Sequence, residues 1–92
     1  PGPADPARPA WYQPLLAAVA ARRVVQLTYC ARTDEAASER LVEPIGLYWR
    51  RHWYLVAYCR TRQAFREFRF DRISRLAESG ETFAPRPDTL AS

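Results

Sequence analysis

From residue 48 to residue 75 the chain carries eight arginines against two carboxylates, Glu67 and Asp71, with Tyr48, Trp49, Trp53, Tyr54, Tyr58, Phe65, Phe68 and Phe70 threaded among them. A guanidinium binds phosphate or carboxylate through two parallel N–H donors, and an aromatic face stacks on a base. The chemistry these residues offer together is therefore recognition of an anionic ligand that carries bases, such as a nucleotide or a single strand of nucleic acid. All 14 basic residues are arginine, and the formal net charge is +4. The same residues also have a plainer reading, with the rings forming the core and the arginines a solvated surface. Phe68, Phe70 and Trp53 are expected in the core, whereas Tyr54 and Tyr58, on the opposite parity from Trp53, fit either a core or a pocket rim.

Catalysis finds little support. The single histidine, His52, falls in an expected hairpin turn, and the chain has no nucleophile elbow around a serine. Glu67 and Asp71 lie among arginines, which lower carboxylate pKa values and make poor proton donors of them. Three glycines leave no room for a phosphate-cradling loop. Cys30 and Cys59 show no zinc spacing and read as small hydrophobes, so neither a metal nor a cofactor is expected, and the chain is not read as an enzyme.

Several short elements must position this window. An amphipathic helix is expected over 11–23, with Leu15, Leu16, Val19 and Ala20 at helical spacing. The β-branched and aromatic run 24–30 reads as a strand, followed by a polar loop over 31–39. A second strand over 40–49 contains Pro44 and Gly46, which imply a bend, bulge or edge. After a tight turn at 50–52, the run 53–59 is apolar on both parities and should be covered on both faces. Residues 65–73 alternate cleanly as another strand, and 73–77 extend it or make a fifth. One helix and four or five short strands give a small, strongly bent sheet or barrel.

Ninety-two residues make one domain. Residues 1–10, with four prolines, read as a linker, 11–80 as the domain, and 81–92 as a second linker toward a further extension. No apolar run is long enough to span a bilayer and the start has no signal-peptide core, so a soluble, non-exported, cytoplasmic protein with no membrane partner is expected.

An ordered set of residues now comes into view: Leu27-Thr28-Tyr29, then Arg40 with Val42, Pro44 and Gly46-Leu47, then Trp53-Tyr54-Leu55-Val56-Ala57-Tyr58-Cys59, then Arg66-Glu67-Phe68-Arg69-Phe70-Asp71-Arg72-Ile73. This set resembles the WYL domain, a family named for the tripeptide matched by Trp53-Tyr54-Leu55. The resemblance implies a mostly β fold, an Sm-like, SH3-type β-barrel of about five strands with an N-terminal helix. It also implies a ligand-sensing regulatory domain of a bacterial transcriptional regulator, placed behind a helix-turn-helix that alone touches duplex DNA. Single-stranded DNA is among the ligands known for the family.

Carried over by position, the ligand surface would comprise Arg66, Arg69 and Arg72, with Tyr29, His52 and Tyr54 as neighbours. In a straight strand Arg69 faces away from Arg66 and Arg72, so it is the one to drop unless the strand bends. Asp71 can alternatively serve as a structural partner that pairs with Arg72. The competing functional reading is a dimerisation or interaction module with no ligand of its own, and an exposed edge near Pro44 would permit such a homodimer.

Overall fold

The computed structural model describes residues 9–86, so most of the proline-rich stretch 1–10 and the last residues of 81–92 lie outside the described part. The elements run α1 (Tyr12–Ala21), β1 (Arg23–Tyr29), β2 (Ser38–Arg50), β3 (His52–Cys59), β4 (Ala64–Arg69), a 3-10 turn (Phe70–Arg72) and β5 (Ile73–Thr82). The five strands form one antiparallel sheet in the order β4-β3-β2-β1-β5.

The helix is shorter than its apolar pattern suggests. Arg22 turns left-handed at φ 53°, its N–H caps the carbonyls of Ala18 and Val19, and Arg23 already belongs to β1. Leu15 and Ala18 enter the core, while Leu16 remains 42% exposed. At the other end the Trp11 indole donates to the Ile73 carbonyl at 3.0 Å, tying the helix start to β5.

Of the bend, bulge or edge that Pro44 and Gly46 imply, the structure forms a bulge, and the exposed edge expected near Pro44 is not formed, because β2 lies between β3 and β1 and Pro44 is buried. The β2–β3 register steps from Pro44↔Ala57 to Gly46↔Val56, which leaves Ile45 without a partner. Arg51, at φ 66°, forms the tip of the β2–β3 hairpin between Arg50 and His52. Along β3, Leu55, Ala57 and Cys59 are buried on the inner face and the alternate residues half-buried, so both faces are covered to some degree.

The largest departure concerns residues 65–73. The alternating run does not continue as one strand: β4 stops at Arg69, and Phe70–Arg72 make a single 3-10 turn before β5 begins. That turn takes the chain from one edge of the sheet to the other. Five flat strands would separate the edges by about 19 Å at the usual strand spacing. A three-residue 3-10 turn advances only about 6 Å. The sheet therefore has to curl.

Its edges approach without joining, and β4 and β5 share no ladder among the described residues, so a closed barrel is not what the strand pairing gives. Side chains bridge the gap instead. The Tyr29 ring of β1 meets Phe68 of β4 edge-on at 4.9 Å, and the Arg69 amide donates to the Tyr29 hydroxyl at 3.0 Å. Phe68 and Phe70 both lie in the core, with Leu27, Val42 and Leu55.

The outer face carries a second anchor. Glu43 lies opposite Tyr58 in register, with its side chain 3% exposed. Arg86 reaches it through Nε and Nη2 at 2.9 and 3.0 Å, and Arg60 through Nε at 2.7 Å. The Arg86 guanidinium also covers the Tyr58 ring, 3.6 Å from its centroid. β5 runs two residues past Gly80, and the Phe83 amide donates to the Arg22 carbonyl, so the segment 81–86 is held against the sheet.

Burial pushes the Glu43 carboxyl up, but the hydrogen bonds and charges of Arg86 and Arg60 outweigh it and hold the group below its ordinary 4.5. A carboxylate lowered in the fold contributes stability above its unfolded pKa and loses it as pH falls through the lower folded value. Acidification below about pH 4.5 should therefore weaken the wild-type chain more than Glu43→Gln. Urea midpoints of both proteins at pH 7 and pH 3 check this, with the smaller drop expected for the variant.

Candidate ligand-binding site

The β2–β3 hairpin and the 3-10 turn together assemble a polar cluster around Arg69. In the β3–β4 register Tyr54 lies opposite Arg69. The turn that follows places Asp71 so that Arg69 Nε and Nη2 donate to its two carboxylate oxygens at 3.0 and 2.6 Å. His52, first in β3, brings Nδ1 to 3.4 Å from Arg69 Nη2 and 3.9 Å from Asp71 Oδ2. The hydrogen bond from Arg69 is the main cause holding the Asp71 carboxyl below its usual value, and the same bond raises Arg69.

Tyrosines extend the cluster along the outer face. Tyr54 stacks on Tyr48, with centroids 5.0 Å apart and planes 16° from parallel. The Tyr48 hydroxyl donates to Glu67 at 2.7 Å, which raises its pKa. Tyr54 thus lies on the outer face opposite Arg69, and Tyr58 is capped by Arg86.

Beside the cluster opens a cleft of about 460 Å³, walled by Trp11, Trp49, Trp53 and Phe70, with His52 and Asp71 on its edge. All three tryptophans of the chain line it. The hairpin sets Trp49 opposite Trp53, with ring centroids 5.9 Å apart, and Tyr12 supports Trp53 edge-on at 5.0 Å. Trp49 is 48% exposed, a large apolar surface left open to solvent.

The three arginines singled out in the sequence do not converge. Arg69 joins His52 and Tyr54, with Tyr29 behind it. Arg66 lies opposite Ala57, on the face that carries Phe68, and is exposed with no ion pair or hydrogen bond among the described residues. Arg72, in the 3-10 turn, donates to the Ala31 carbonyl, and its own carbonyl accepts from the Cys30 amide. Its task is to fasten the loop after β1. The parity argument that set Arg69 aside assumed a straight strand, whereas the strand ends at that residue. Asp71 pairs with Arg69, not with Arg72. Tyr29 is 7% exposed and supports Arg69 through its hydroxyl.

Sequence reasoning missed the cleft because Trp11 and Trp49 lie 38 positions apart and were read as ends of separate elements. The available signal was Trp49 and Trp53 flanking a short turn, which pairs them across a hairpin. Cys59 is buried and Cys30 half-buried, both free.

Comparison with known proteins decides the family, because the family model described as "WYL domain" matches residues 10–78. The chain belongs to the WYL domain family. It is similar to Protein PafC of Mycobacterium tuberculosis, from strains CDC 1551 and H37Rv, each 40% identical over 70 residues. Those matches take in 75% of this chain and 22% of the relatives, so the chain spans about a fifth of their length. Among solved structures it resembles the proteasome accessory factor B/C (PafBC) of Arthrobacter aurescens, with a TM-score of 0.77 and 28% identity, over 89% of this chain and 13% of that one.

Tyr29→Phe tests how far this WYL domain relies on the strut beneath Arg69. Losing one partner of a single hydrogen bond should cost about 0.5–1.5 kcal/mol. Urea unfolding measures that loss, and hydrogen exchange should show the Arg69 amide exchanging faster while the Leu55 amide stays protected.

Proposed function

We propose that this WYL domain is the ligand-sensing part of a transcriptional regulator resembling PafC, and that it takes an anionic nucleotide or a short single strand of nucleic acid at the Arg69 cluster and the adjoining cleft. The observation that carries this reading is the Arg69–Asp71–His52 cluster, of which His52 and Asp71 also line a cleft walled by three tryptophans. Phosphate suits Arg69 and His52, while a base suits the exposed face of Trp49. The curled sheet then corresponds to an Sm-like, SH3-type barrel left open along one seam. Duplex DNA would be read by a separate helix-turn-helix, and such a regulator would work in the cytoplasm.

The pairing of Arg69 with Asp71 gives sensing a physical form. An incoming phosphate competes with the Asp71 carboxylate for the same two N–H donors. Asp71 belongs to the 3-10 turn that links the sheet edges, so exchanging its partner loads the one connection between them. A ligand shifts a conformational balance only through such a difference in contacts.

Fluorescence anisotropy with labelled short single-stranded DNA, a matched duplex, and low and physiological salt provides the test. Single-strand binding should survive physiological salt and weaken about tenfold in Arg69→Ala and in Trp49→Ala, the scale of one lost stacking or phosphate contact. No binding, or equal binding of both DNAs that collapses with salt, would sink the proposal. Concentration-dependent sedimentation without any ligand effect would then favour the dimerisation module.

A further inference from the structure

Arg40 occupies a position that arginine rarely tolerates. It lies in β2 opposite Leu27, two positions from the end of the β1–β2 ladder, on the face that carries the core residue Val42. The residue is 4% exposed, yet none of the ion pairs among the described residues includes it. Its Nε donates to the Ser38 hydroxyl at 3.0 Å, and its Cζ lies 5.7 Å from the centroid of the Tyr29 ring. Its Nη1 is buried with no acceptor.

A guanidinium stays charged at any pH a protein survives, so it cannot escape burial by losing its proton. Burying a charge without a counter-charge costs several kcal/mol, and a serine hydroxyl and one aromatic face offset only part of that. Glu43 shows how the same fold treats its other buried charge, with two guanidinium groups brought to one carboxylate. Arg40 receives no such match.

We propose that Arg40 is an internal anion subsite, which takes one compact oxyanion of the phosphate class on its unsatisfied Nη1 edge. The anion enters from the end of the β1–β2 ladder, beside Ser38, where residues 32–39 are all exposed. Phosphate suits a lone guanidinium because its oxygens accept from N–H donors and because its charge offsets the buried cation. The subsite is separated from Arg69 by the Tyr29 ring and does not depend on the surface reading above. The same chemistry arises from free phosphate or from the terminal phosphate of a strand.

The test uses this chain in phosphate and in chloride at matched ionic strength. With phosphate at about five times its Kd, the wild-type Tm should rise by about 4–8 °C over chloride. The 15N signal of Arg40 Nε should shift along a saturating curve. Arg40→Met should abolish the rise in Tm, whereas Arg69→Ala should keep both effects, which separates this subsite from the surface cluster. Arg40→Lys retains the charge without the fork and should need more phosphate to reach the same Tm, so the proposal stays testable if the methionine variant fails to fold. A 5′-phosphorylated dinucleotide that raises the Tm more than its unphosphorylated twin would identify a strand end as the source. Equal effects from the two dinucleotides, with a rise in inorganic phosphate, would identify the free ion. Identical wild-type Tm values in phosphate and chloride, or an undiminished phosphate response in Arg40→Met, would overturn the proposal.

Discussion

A three-residue turn has to carry the chain from one edge of a five-stranded sheet to the other, and the rest of the molecule accommodates that short reach. The bulge at Ile45 provides part of the bend, since an unpaired residue increases local twist. Tyr29 completes the arrangement from inside, with its ring against Phe68 and its hydroxyl on the Arg69 amide. The curl, not a continuous ladder, brings β1 and β4 together. It also sets where the polar cluster forms, because Arg69 and Asp71 flank the point at which the strand gives way to the turn.

Charge is distributed by the same geometry. The arginine-rich window looks uniform in the sequence, yet each side chain meets a different environment. Arg60 converges with Arg86, from beyond the window, on a buried glutamate, Arg72 secures a loop carbonyl, Arg69 is matched to Asp71, and Arg50, Arg51, Arg62, Arg66 and Arg75 have no ion pair or hydrogen bond among the described residues. Three of the window's eight arginines are therefore engaged inside the domain, and less of its charge is available to a partner than the raw count suggests. Exposed pairs such as Arg69 with Asp71 add little stability individually. Their value here is positional, since they hold turns and chain ends in place.

Much of the fold was legible. β-branched runs separated by polar turns specified four or five strands and a helix, and Pro44 with Gly46 called for a bend, bulge or edge, of which the structure forms the bulge. The end of β4 was not legible, because the alternation of Phe68, Phe70 and the arginines satisfies both a continued strand and a strand that breaks into a tight turn with the same rings inward. Only the tertiary requirement to reach the far edge distinguishes them. Site residues were legible by type but not by grouping: His52, Tyr54 and Arg69 come together, while Arg66 and Arg72 diverge. The buried pairing of Glu43 escaped notice because its partners Arg60 and Arg86 lie 17 and 43 positions away.

The gathering of Trp11, Trp49 and Trp53 in one cleft has an optical consequence. Indole emission from this chain comes from a single locale, while its five tyrosines lie on several strands and on the helix. A change in the colour or intensity of that emission therefore reports on one patch of surface next to Arg69's cluster, without any label. Excitation can pass between Trp49 and Trp53, whose ring centroids lie 5.9 Å apart. The domain carries its own spectroscopic window onto the cleft that Trp49 leaves open to solvent.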